Sequence, residues 1–66
     1  MSEQGYEWFI VYRDAKQGNR ELTSRTFEAE AAMLQAVEDM KYQLHLNDIR
    51  KFRKDKGSDA PAVQLS

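Results

Sequence analysis

Few residues in this chain are of types that do covalent or metal chemistry. His45 is its one imidazole, and there is no cysteine. A catalytic imidazole needs a nucleophile to deprotonate and a group to orient it, and no Ser or Cys lies close to His45 in sequence. Its place near the end of a helical stretch suits a protonated ring facing the negative end of the helix dipole. One His without Cys cannot build a zinc site. The carboxylate pairs Glu28/Glu30 and Glu38/Asp39 diverge around a helix and read as a solvated face. Gly5, Gly18 and Gly57 are isolated, so no phosphate-cradling loop is present, and neither G-x-S-x-G nor H-E-x-x-H occurs. The expectation is a protein that is not an enzyme, with no catalytic residue, cofactor, metal site or small-molecule substrate.

The remaining chemistry is that of surfaces. Apart from Lys41, the cations fall in two groups: Arg13, Lys16, Arg20 and Arg25 early, then Arg50, Lys51, Arg53, Lys54 and Lys56 late. Either group could contact phosphates. The early cations are matched by Glu3, Glu7, Asp14 and Glu21, and the whole chain has a net charge of −1. Residues 26–46 are acidic and residues 47–59 basic, an asymmetry that bears on partners and not on fold. Aromatic and aliphatic groups supply the other surface: Trp8, Tyr12, Phe27, Leu34 and Tyr42 are candidate anchors for a protein partner.

These residues need elements to hold them. Tyr6 to Arg13 is rich in aromatic and β-branched residues and predicts a strand. Alternation sends Tyr6, Trp8, Ile10 and Tyr12 to one face and Glu7, Phe9, Val11 and Arg13 to the other. Both faces are apolar near the middle, as in a strand covered on both sides. Gly18 and Asn19 accept positive φ and predict a turn into a polar edge strand over residues 20–25. From Thr26 to Leu44, the spacing of Ala29, Met33, Ala36, Val37, Met40 and Leu44 predicts an amphipathic helix with Thr26 as N-cap and Asn47 as its stop. Phe27, Ala31, Leu34 and Tyr42 form a second apolar set off that stripe. It reads either as core margin with scattered exposure or as a contact surface. Residues 48–54 read as a strand or as a helix extension; the strand is preferred. It splits Ile49, Lys51 and Arg53 from Arg50, Phe52 and Lys54. Residues 1–5 read as a disordered lead and residues 55–66 as a flexible tail.

The fold class expected is α+β: a small antiparallel sheet in ββαβ order with one helix packed on one face, forming a single domain over residues 6–54. Which sheet face the helix covers is open. A chain of 66 residues has a small core and no disulfide to support it, so packing or oligomerisation must stabilise it. Whichever sheet face stays bare displays bulky apolar groups, which calls for a cover. The leading reading is therefore a non-enzymatic protein–protein interaction module: an accessory, adaptor or inhibitor protein, phage-like in style, that pairs with itself as a homodimer or docks on a larger protein. The alternative is a DNA- or RNA-binding module using the sheet and the basic residues 50–56. No stretch is apolar enough to span a membrane, and the polar first residues lead into an apolar run too short for a signal peptide. A cytoplasmic location is expected.

Three stretches carry a family resemblance: W-F-I-V-Y-R-D (Trp8 to Asp14), G-N-R (Gly18 to Arg20) and S-R-T-F-E-A-E-A (Ser24 to Ala31). Together they resemble the arm-type N-terminal DNA-binding domains of phage tyrosine recombinases, and they span about 30 residues by the match. In that family the exposed sheet lies in the major groove and hairpin cations contact phosphates. The resemblance implies those roles for the sheet, and for Arg13, Lys16, Arg20 and Arg25 here.

Overall fold

The computed structural model describes residues 5–57 and 59–65. The fold is α+β, with one α-helix and a four-stranded antiparallel sheet. Strand β1 (Tyr6–Asp14) is followed by a single 3-10 turn and β2 (Arg20–Thr23). Helix α1 (Glu30–Lys41), β3 (Leu46–Asp55) and β4 (Val63–Leu65) complete the chain. The sheet order is β2-β1-β3-β4, so the aromatic strand β1 is central, as its apolar residues on both faces require.

The β1–β2 connection follows its turn chemistry. The Asp14 carboxylate accepts from the Lys16 backbone N–H at 2.9 Å, and the Asn19 N–H donates to the Asp14 carbonyl at 2.8 Å. Gly18 (φ 70°) and Asn19 (φ 62°) take the left-handed conformation that closes the turn. Beyond β2 the chain keeps following β1. Ser24 exchanges bonds with Ile10, its Oγ accepting from the Ile10 N–H at 2.9 Å. Phe27 exchanges bonds with Trp8 at 2.7 and 3.1 Å.

That pairing moves the helix start. The expected helix from Thr26 begins instead at Glu30, with Ala29 as an extended N-cap that makes no side-chain cap bond. A Thr cap is worth about 1 kcal/mol. Phe27 gains two backbone bonds on β1 and buries its ring to 6% exposure, and that arrangement wins. The helix also ends early, at Lys41 with Tyr42 as C-cap, not near Asn47. A tight turn follows, in which the Leu46 N–H donates to the Gln43 carbonyl at 3.0 Å. Leu44, expected in the core stripe, is 96% exposed there.

The core is Ile10, Phe27, Met33 and Val37, with Trp8, Tyr12, Ala36, Met40, Ile49 and Leu65 packed against it. The helix therefore covers the Trp8/Ile10/Tyr12 face. The register explains the choice. Leu22 lies opposite Tyr12, and Leu65 lies opposite Lys51, two residues from Ile49. Only this face collects aliphatic residues from all four strands. Residues 48–54 lie within β3, which settles them as strand. The tail is not wholly free: Val63–Leu65 pairs with Lys51–Arg53 as β4, and Leu65 supplies core contact. Of the lead expected over residues 1–5, residues 1–4 lie outside the described residues, and the Gly5 carbonyl accepts from the Lys56 N–H.

Candidate interaction surface

The face turned away from the helix takes one residue in two from each strand. From β1 come Glu7, Phe9, Val11 and Arg13. By register, Thr23 and Glu21 of β2 lie beside Val11 and Arg13, and Lys54, Phe52 and Arg50 of β3 lie beside Glu7, Phe9 and Val11. Gln64 of β4 borders Phe52.

At its centre Phe9 and Phe52 face each other across the strands. Their rings stack at 5.3 Å between centroids and 6° between planes. With Val11 they form an apolar strip that is half-buried although, among the described residues, no element lies over it. Ring-on-ring contact removes part of each surface from water and adds roughly 1 kcal/mol beyond area burial. The rest of each ring stays accessible.

One end of the strip is an ion-pair network built on a bulge. Val11 pairs with Arg50 and Arg13 with Asn47, so β3 holds an extra residue between them. Asp48 takes the left-handed conformation there (φ 52°), which Asp tolerates better than most residues. The bulge turns its carboxylate toward the open face. Asp48 contacts Arg13 Nε at 3.3 Å and an Arg50 guanidinium nitrogen at 3.4 Å, and the same Arg50 nitrogen reaches Glu21 at 2.7 Å. The other end holds Glu7 and Lys54, directly opposite one another. Among the described residues neither takes part in an ion pair; Glu7 acts only as a minor coulombic influence on Lys56. Lys56 itself is held above the ordinary lysine value, chiefly by its hydrogen bond to Glu28.

The structure redistributes the residues expected at an interface. Trp8, Tyr12 and Phe27 lie on the helix side, where Phe27 is buried and the partly buried Trp8 and Tyr12 pack against the core. Leu34 (41% exposed) and Tyr42 (83%) stay on the surface, but Phe27 has left their stripe, so the three form no continuous patch. Phe9 and Phe52, which the structure stacks at the centre of the open face, are not among the residues expected from the sequence. The available signal was their position: each is the aromatic residue in the middle of the polar-flanked face of its strand.

The expected phosphate-binding cations do not share a surface either. Arg13, Arg50 and Lys54 lie on the open face, while Arg20, Lys51 and Arg53 fall on the helix side by register. Lys16 sits in the turn, and Arg25 stacks over the Phe27 ring at 4.3 Å. Arg53 stacks over Tyr6 at 4.5 Å. Alternation along β3 is the cause, since a strand cannot present adjacent residues to one partner.

Among the described residues there is no pocket, no group of three side chains able to hold a metal, and no helix long and apolar enough to cross a membrane. Comparison with protein-family models, with curated proteins and with solved structures returns no match.

Proposed function

We propose that this chain is a small non-enzymatic protein–protein interaction module whose contact surface is the open sheet face. The observation that carries the reading is the stacked Phe9/Phe52 pair beside Val11, covered by no element among the described residues and rimmed by charges of both signs. Aromatic residues in the centre of a patch with a polar rim are the usual anatomy of a protein interface. A nucleic-acid surface gathers cations that remain free for phosphates. Here Arg13 and Arg50 are already engaged by Asp48 and Glu21.

The test is sedimentation of the chain alone and with single-stranded and duplex oligonucleotides, alongside Phe52→Asp. Association with protein, the chain itself or a larger partner, is expected in the wild type. Phe52→Asp should lose it while keeping a cooperative melt. No oligonucleotide should co-sediment at about 50 mM salt, where phosphate contacts are strongest. Tight co-sedimentation that falls steeply with salt would move the assignment to nucleic acid.

A further inference from the structure

We infer that the partner of the open face is a second copy of this chain, packed sheet to sheet about a two-fold axis that runs along the strands between β1 and β3. This rests on the reading of that face as a protein-binding surface and goes beyond it by naming the occupant and the contacts.

Register carries the inference. Glu7 lies opposite Lys54, and two residues further along Phe9 lies opposite Phe52. A two-fold axis lying between two sheets, parallel to their strands, keeps each end of one sheet over the same end of the other. It exchanges β1 with β3. Glu7 then meets Lys54 of the second copy, and Lys54 meets its Glu7. The stacked ring pair meets the same pair, Phe9 against Phe52. The contact is isologous, as a closed dimer requires. Facing sheets pack with strands within about 30° of alignment, which this axis delivers.

Charge supports the same occupant. On this face Glu7, Glu21 and Asp48 offset Arg13, Arg50 and Lys54, so two copies meet without net repulsion. The Arg13/Arg50 end is neutralised within the chain. Glu7 and Lys54 are the charged residues of the face left without an ion-pair partner among the described residues. A partner surface of one sign would oppose one of them. A rotated copy satisfies both.

The experiment is a charge exchange read by sedimentation equilibrium. The wild type should dimerise. Glu7→Lys alone places lysine against lysine across the axis, and Lys54→Glu alone places glutamate against glutamate. Each should weaken the dimer by about tenfold or more. Mixing the two single variants makes every facing pair opposite in sign again, so a heterodimer should form with affinity near the wild type. The double variant Glu7→Lys/Lys54→Glu should dimerise with itself. Recovery in the mixture and in the double variant excludes misfolding as the cause of the single losses. A wild type that stays monomeric at hundreds of micromolar would overturn the inference. So would single variants that dimerise like the wild type, or a mixture that does not recover. If the wild type is monomeric but a larger protein binds it and is released by Phe52→Asp, the self-interface fails while the open-face reading stands.

Discussion

Ile10 and Phe9 are neighbours in β1 and have opposite fates. Ile10 is fully buried with Phe27, Met33 and Val37, in a core that the helix closes together with residues of β1, β3 and β4. Phe9 points the other way, and its cover is another strand's ring lying beside it. The helix side is the better covered: Ile10, Ile49 and Leu65, from three strands, pack with Met33 and Val37 of the helix, while Tyr6 and Val63 at its margins stay exposed. The open side has an apolar centre of the same strand but a charged frame, and one end of that frame is locked by Asp48. A strand with apolar residues on both faces needs two covers, and the described residues supply one. The difference separates residues that hold the fold from residues available to a partner.

The comparison is broken most severely from the helix side. Ile10→Ala should cost about 3 kcal/mol, since it opens a cavity among residues that cannot collapse into it. For a domain of this size that is roughly 15 °C or more in Tm, read by a thermal melt. An equal loss from Phe52→Ala in the isolated chain would erase the distinction between the faces. Phe52→Ala should instead cost about 1 kcal/mol in folding, the scale of a lost aromatic pair. Its larger effect, about 2 kcal/mol, should appear in association, as at an interface hot spot.

A smaller effect tests the frame. Asp48→Ala should destabilise by about 1 kcal/mol, because alanine is strained at positive φ and two partly exposed ion pairs are lost. Asp48→Asn keeps a residue suited to that conformation and should recover most of the loss. If Asn and Ala behave alike in chemical denaturation, the carboxylate and not the bulge conformation sets the cost.

Much of this frame is legible in the residues. The alternation of β1, the positive φ at Gly18 and Asn19, the Met33/Val37 stripe and the splitting of the β3 cations all follow from local rules. The helix start is not legible, because Phe27 is drawn out of the helix by Trp8, nineteen residues back by their numbers. Leu44 keeps helical spacing in sequence but falls in the turn after Lys41. Strand β4 has too few residues to show a period, and only its pairing with β3 defines it. The candidate surface was hidden for the same reason. Phe9 and Phe52 become a pair only once the β1–β3 register is set, and that is a long-range fact. Trp8 and Tyr12, the large aromatics expected as anchors, share their face with the aliphatic residues that the register gathers, and the helix covers that face.

The central claim, that the open face is the contact surface, is tested most directly by side-chain NMR on dilution from millimolar to low micromolar chain. The ring signals of Phe9 and Phe52 should shift together with the methyls of Val11, while Ile10 and Met33 on the helix side and Tyr42 and Leu44 in the exposed turn stay fixed. Shifts confined to Leu34, Tyr42 and Leu44, with Phe9 and Phe52 unchanged, would place the contact on the helix side and contradict the account.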